Sequence, residues 1–314
     1  MSNYRPPSAM EIPRFAGIRT FMRLPHVTGL AGVDVAVVGL PFDTGASYRV
    51  GARFGPEAIR RGSALLRPYN PHHRINLFEF ISAVDYGDLP VVPGFIEDSY
   101  RRIEEGLAPV IGAGALPLCL GGDHSVTLAE LRALYRRYGR LGVIQVDAHG
   151  DTWDNYWGKQ YTHGTVFRRA AEEGLLDPDR VIQIGLRGPL YGQEDYEEGR
   201  RLGFDLVPMD EVRRLGLSEV IDRARRRAGE GPVFLSFDID SVDPAFAPGT
   251  GTPEVGGFAS HEALALLRGL AGVDLVGADV VEVLPAFDVA EITAMLAANV
   301  AYEILSLIAV KRRD

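Results

Sequence analysis

A single cysteine in 314 residues sets the first limit on this chain. Cys119 has no partner, so neither an intrachain disulfide nor a thiolate metal site can be built within it. The residue sits in the apolar stretch Leu116-Pro117-Leu118-Cys119-Leu120 and is expected to be a small buried hydrophobe. The opening run Met1-Ser2-Asn3-Tyr4-Arg5-Pro6-Pro7 has no apolar signal core. No stretch reads as long enough to span a bilayer, so the cytoplasm is the default expectation and a membrane partner is not expected. Basic charge is short as well. With 33 Lys and Arg against 42 Asp and Glu, the net charge of −9 offers nucleic acid no general attraction and mildly favours a cationic substrate. Phosphate-binding glycine loops are missing: Gly112-Ala113-Gly114 precedes its strand instead of following it. No internal repeat or Ser/Gly-rich linker interrupts the middle of the chain. One folded domain over 31–314, preceded by an irregular, proline-rich arm over 1–30, accounts for the organisation.

What is present alternates strand and helix. Apolar, β-rich runs occur at Val33 to Leu40, Ile81 to Val84, Leu116 to Leu120 and Leu141 to Val146. Others span Val181 to Leu186, Leu206 to Pro208, Val233 to Phe237 and Leu275 to Val283. Helical patterns fall between them, such as Thr127 to Tyr138, Val166 to Gly174, Ser218 to Ala228 and His261 to Leu270. A last helix is expected to start at Asp288-Val289-Ala290-Glu291, with the aspartate capping it, and to run toward Val310. The pattern predicts an α/β fold: a doubly wound, mostly parallel sheet of about eight strands with helices on both faces.

Three of the strands end in groups that bind hard cations. Leu141 to Val146 leads into Asp147-Ala148-His149-Gly150-Asp151, where alternate side chains point the same way if the strand extends. Val233 to Phe237 leads into Asp238-Ile239-Asp240, and Asp238 and Asp240 share a face by the two-residue period. Leu116 to Leu120 leads into Gly121-Gly122-Asp123-His124-Ser125. Two glycines there permit a sharp exit from the strand, with Ser125 as the expected N-cap of the next helix. An isolated Asp-x-Asp after a strand is ordinarily a turn or cap. Three such clusters at one edge of an open α/β sheet, where ligands bind, point instead to a binuclear metal site. Like charges gathered together are costly without a cation.

The motifs Gly-Gly-Asp-His-Ser, Asp-Ala-His-x-Asp and Ser-Phe-Asp-Ile-Asp-x-x-Asp-Pro, in that order, resemble the signatures of the ureohydrolase family of arginase and agmatinase. The stretches Ser47 to Pro56, His163 to Arg169, Pro248 to Glu254 and Asp279 to Val283 are similar to its agmatinase branch, and the likeness runs from about Pro13 to the last helix. It implies two Mn²⁺ per subunit. One ion would take His124, Asp147, Asp151 and Asp238, the second Asp147, His149, Asp238 and Asp240, with Asp147 and Asp238 bridging. It also implies that His163 shuttles a proton and that Glu282 holds the substrate guanidinium. A homotrimer or homohexamer, with the arm packed on neighbouring subunits, is the implied assembly. On the residues alone, His163 could be a helix-start residue without a role, and Glu282 could form an internal ion pair.

Other polar residues carry less. Asp123 and Asp243 read as turn formers or supports beside the ligands, and Asp279 as a structural hydrogen-bonding residue. His72 and His73 are expected to be solvated. The loop Thr152 to Thr162 offers aromatic surface, including Tyr156, plus Asp154, suited to an amine tail. The expected reaction is therefore hydrolysis of agmatine to putrescine and urea. A guanidino-acid hydrolase of the guanidinobutyrase or proclavaminate amidinohydrolase type is the alternative, with Arg49 or Lys159 serving the carboxylate. A non-catalytic metal-bound relative would have lost a ligand or His163, and neither is lost. A deacetylase-like amide hydrolase would lack the Glu282 motif.

Overall fold

A computed structural model describes residues 4–314; the first three residues of the arm, and of the opening run, lie outside it. The strands are β1 (Val35–Gly39), β2 (Tyr69–Asn70), β3 (Ile75–Asn76), β4 (Ala83–Asp88), β5 (Leu116–Leu120), β6 (Leu141–Val146), β7 (Leu176–Ile184), β8 (Asp205–Val207), β9 (Val233–Asp238) and β10 (Leu275–Val281). The helices are α1 (Gly55–Ser63), α2 (Ile96–Gly112), α3 (Thr127–Tyr138), α4 (Val166–Glu172), α5 (Glu194–Arg201), α6 (Met209–Leu215), α7 (Leu217–Ala228), α8 (Ser260–Gly269) and α9 (Ile292–Arg313). Eight strands form one sheet in the order β4-β1-β5-β10-β9-β6-β7-β8, and every pairing in it is parallel. The expected architecture is present.

Burial on both faces explains why these strands read as unbroken apolar runs. Val35 and Val37 point into one hydrophobic cluster and Ala36 and Val38 into the other. Cys119 likewise faces the second cluster, fully buried. Register then decides where the site forms. Leu120, Val280, Phe237 and Val146 make one row across β5, β10, β9 and β6, four adjacent strands. Asp238, Asp147 and Glu282 follow within two residues of that row, and His124 four residues after Leu120. Residues far apart in sequence thus emerge side by side at the C-terminal edge.

Three expectations need correction. The last helix starts at Ile292, because Ala290 and Glu291 adopt left-handed backbone at φ 52° and 64°. Asp288 still caps it from outside, accepting from the N–H groups of Thr293 and Ala294 at 3.0 Å each. That same helix is long and apolar enough to cross a membrane by length and composition. Its sides are covered by the protein's own core, which is why it is apolar all round. Within the arm, Phe21, Met22 and Leu24 are buried in the first cluster, while Met10, Phe15 and Ile18 are exposed. His73 is half-buried, with Nε2 enclosed and unpartnered.

Candidate metal centre and active site

The exit from β5 is steric before it is chemical. A Cβ on Gly122 would overlap the Phe42 carbonyl oxygen, so the chain can pass here only as glycine. Asp123, not Ser125, caps the turn that follows: its carboxylate accepts from Ser125 N at 3.1 Å and from Gly45 N at 2.7 Å. His124 is thereby placed on the turn, buried, with Nε2 2.8 Å from Ser236 Oγ. Ser236 Oγ donates to Asp279 Oδ1 at 2.8 Å, so it accepts from His124 and sets a proton on Nε2. His124 Nδ1 is left facing Asp147 Oδ2 at 3.0 Å, Asp151 Oδ2 at 3.0 Å and Asp238 Oδ2 at 3.3 Å. It has no hydrogen-bond partner with acceptable geometry.

Beside this group lies a second. His149 Nδ1 is 3.0 Å from Asp240 Oδ2 and 3.6 Å from Asp147 Oδ1. Asp147 therefore turns one oxygen to each histidine, and it belongs to both candidate ligand groups, His124-Asp147-Asp151 and Asp147-His149-Asp240. Asp238 faces the first of them through Oδ2. The route to these positions differs in part from simple strand alternation. β6 ends at Val146, and Asp151 comes in through left-handed backbone at φ 48°, a conformation costly for a non-glycine residue unless its surroundings enforce it. β9 ends at Asp238, and Asp240 sits on the short turn Ile239–Ser241, where its N–H donates to Asp238 Oδ1 at 2.8 Å.

Four carboxylates converge here, and no Lys or Arg forms an ion pair with any of them among the described residues. Burial, reinforced by the Asp147 charge, pushes the Asp151 carboxyl up. Burial together with Asp240 and Asp147 pushes Asp238 well above the carboxylate range. Burial opposes ionisation of Asp147 too, but the adjoining His124 and His149 imidazoles outweigh it and hold that group low. The cluster calls for positive charge. A proton on His124 Nδ1 can point at only one of three oxygens, whereas a divalent cation can serve all of them at once. The donor set, oxygen-rich with two imidazoles and no sulfur, therefore fits a pair of hard or borderline cations.

His163 and Glu282 stand next to this centre. Glu282 follows β10 in left-handed backbone at φ 62° and is buried. Its Oε1 accepts from His124 N and from His163 Nδ1, both at 2.9 Å, while Oε2 is buried without a partner. Since a carboxylate only accepts, His163 carries a proton on Nδ1. Nε2 meets Ser47 Oγ at 2.6 Å and Ser47 N at 3.0 Å. Burial disfavours the imidazolium, yet the Glu282 hydrogen bond and charge more than compensate and raise His163 to about 9.

A cavity of about 770 Å³ opens over the centre, with His149, Asp151, Asp238, Asp240 and His163 in its wall. Tyr156 lines it, 4.4 Å from Trp153 between ring centroids, and packs so closely on Gly164 that a Cβ there would lie 2.7 Å from the Tyr156 ring. Asp154, expected on this wall, is not: it points to the surface, pairs with Arg169 at 3.1 Å and borders a separate recess. The loop turns between Trp153 and Tyr156, so residues two apart face different sides. Lys159 is also on the far recess and exposed. Arg49 does line the cavity. Its guanidinium lies over the Phe287 ring at 4.7 Å and the Tyr48 ring at 5.6 Å, with one long contact to Thr250 O at 3.5 Å. No carboxylate is paired with it among the described residues. Arg187, by contrast, is committed to backbone carbonyls of Asp240 at 2.6 Å and Glu254 at 2.7 Å.

Asp279 and Asp243 have the supporting parts expected of them; Asp243 accepts from Ala245, Gly256 and Gly257 N. Ser236 and Gln145 went unnoticed in the sequence, although a polar residue inside a buried apolar strand is a signal. Gln145 Nε2 donates to Asp147 Oδ2 at 2.7 Å.

The Arginase family model matches residues 33–306. The chain is 51% identical to guanidinopropionase of Pseudomonas aeruginosa over 98% of each chain. It is 45% identical to the mitochondrial agmatinase of Gallus gallus, over 96% of this chain and 89% of that one. Among solved structures, proclavaminate amidino hydrolase from Streptomyces clavuligerus superposes with a TM-score of 0.91 at 44% identity, covering 95% of this chain and 99% of the other.

Proposed function

Because the chain belongs to the arginase family, whose members hydrolyse guanidino compounds and depend on a binuclear metal centre, we propose that its substrate is a short guanidino acid, cleaved to urea and the corresponding amino acid. The observation that carries this is Arg49. A guanidinium lining the cavity, stacked on two rings and unpaired, is a ready partner for a carboxylate tail. The acid thought to favour an amine, Asp154, is outside the cavity and already neutralised. A relative named guanidinopropionase, 51% identical over nearly the full length, agrees with the acid reading.

The ions proposed are two Mn²⁺, held by His124, Asp147, Asp151 and Asp238 on one side and by Asp147, His149, Asp238 and Asp240 on the other. When bound, they supply Lewis-acid activation of a water for attack on the guanidinium carbon. The chain's own residues do the rest. Glu282 Oε2, buried and unpartnered, accepts a substrate N–H and fixes the guanidinium. His163, held by Glu282 and Ser47, delivers the proton that the departing amine needs as the C–N bond breaks. The Trp153, Tyr156 and Tyr191 rings wall the cavity and limit water around the tail.

Agmatine is the second reading, favoured by Asp195, which lines the same cavity without an ion-pair partner among the described residues and accepts only from Tyr191 N at 2.9 Å. Urea release from 3-guanidinopropionate, 4-guanidinobutyrate, agmatine and arginine, after manganese loading, separates the two. The acid reading expects the first pair to lead, and agmatine in front would reverse it. The exposed Met10, Phe15 and Ile18 on the arm support a trimer or hexamer, which light scattering tests; a monomer would contradict it.

A further inference from the structure

His163 lines the cavity, and its Nε2 is in contact with Ser47. Both the backbone N–H and the hydroxyl of Ser47 reach this one nitrogen, at 3.0 and 2.6 Å. A neutral imidazole with Nδ1 protonated offers a single in-plane lone pair at Nε2, so one donor would suffice to hold the ring. The hydroxyl, itself on the cavity wall, is redundant for positioning. We infer that Ser47 Oγ is the last carrier in the proton path, passing the proton from His163 Nε2 to the nitrogen of the departing amine.

The step balances without further reagents. With His163 as imidazolium, Nε2 no longer accepts from the Ser47 N–H and instead donates its proton to Ser47 Oγ, while the hydroxyl proton points into the cavity. As the C–N bond breaks, its electron pair stays on nitrogen, which takes the Ser47 proton. Ser47 Oγ takes the Nε2 proton in the same motion and is left as a hydroxyl. His163 returns to the neutral Nδ1–H form, and the proton released by the attacking water restores its charge. Glu282 remains a carboxylate throughout, hydrogen-bonded to Nδ1. The short loop bearing Ser47 is anchored independently: Asp123 accepts from Gly45 N at 2.7 Å, Gly45 O accepts from His163 N at 3.0 Å, and Asp43 accepts from Gly51 N at 2.8 Å. Removing the hydroxyl therefore leaves the loop and the backbone N–H in place.

This rests on His163 as the proton donor, and the test separates the two ideas. In the manganese-loaded enzyme, Ser47→Ala is expected to lose roughly 100-fold in kcat with KM nearly unchanged, the lower end of the usual range for proton-transfer catalysis. Ser47→Thr, which keeps a hydroxyl, is expected to recover most of it. The proton inventory in mixed H₂O and D₂O should be bowed for the native enzyme, as two protons move together, and linear for Ser47→Ala. A readout without turnover comes from ¹⁵N-histidine-labelled protein, where the His163 Nε2 resonance should move toward a less hydrogen-bonded value in Ser47→Ala. Native kcat in Ser47→Ala, a Thr variant as slow as the Ala variant, or an unmoved Nε2 resonance overturns the relay. Native kcat in His163→Ala overturns the proton-donor reading itself, whereas a slow His163→Ala beside a native-rate Ser47→Ala overturns only the relay.

Discussion

Replacing Arg49 by methionine keeps the length and apolar stem of the side chain and removes its charge. The fold asks little of that charge: Arg49 stacks on Tyr48 and Phe287 and makes one long contact to Thr250 O at 3.5 Å. The thermal midpoint should therefore change little. The substrate should notice much more. A hydrogen bond to a charged partner contributes about 1.5–3 kcal/mol when formed, and 1.4 kcal/mol is about tenfold. Since Arg49 is only half-buried, the lower half of that range applies, so kcat/KM for 3-guanidinopropionate or 4-guanidinobutyrate should fall about 10- to 40-fold. Agmatine, which lacks the carboxylate, should be hydrolysed as well as before or better, because a cation has been removed from its path. Steady-state urea release with each substrate on both proteins is sufficient. Equal losses for the acids and agmatine would show that Arg49 shapes the cavity without reading the tail. An unchanged rate on the acids would remove it from recognition altogether.

Three further outcomes follow from the site. Chelation should abolish urea release and Mn²⁺ restore it better than Mg²⁺ or Zn²⁺, given imidazole and carboxylate donors together; full activity in protein shown metal-free by elemental analysis would end the metal reading. Asp147→Ala, which removes the residue shared by both ligand groups, should leave fewer bound ions per chain than Asp151→Ala, which touches one group; equal occupancy in the two would contradict the sharing. Asp154→Asn should leave agmatine and guanidino-acid kinetics within about twofold, because its partner is Arg169 and not the substrate; a selective loss on agmatine would return Asp154 to the cavity.

The eight strands and most of the longer helices were readable because hydrophobic periodicity is a local property, and burial on both faces makes parallel strands stand out. The metal cluster was readable because its residues sit at strand ends, in motifs with few structural alternatives. What escaped was decided by turns. Asp151 and Glu282 arrive through left-handed backbone, which no two-residue period can describe. The start of α9 shifted because Asp288 caps from outside the helix. The side of the Trp153 to Tyr161 loop on which Asp154 falls depends on its pairing with α4, through Arg169. Ser47 reaches His163 across 116 residues of chain, a contact that no pattern near either residue announces.

The row formed by Leu120, Val280, Phe237 and Val146 has a consequence for how the protein is made. Its four strands lie between residues 116 and 281, and the last of them, β10, inserts between β5 and β9 in the middle of the sheet. A chain still lacking that strand has a gap at its centre and holds the β5 and β9 ligands apart. Tight ion capture is thus a late event, available only to chains that have closed the sheet. An ion that binds the closed form and not the open one would add stability in proportion to RT ln(1 + [L]/Kd), about 2.7 kcal/mol at a hundredfold excess over Kd. An ion held by ligands from β5, β6 and β9 would therefore favour chains in which the last strand is in place.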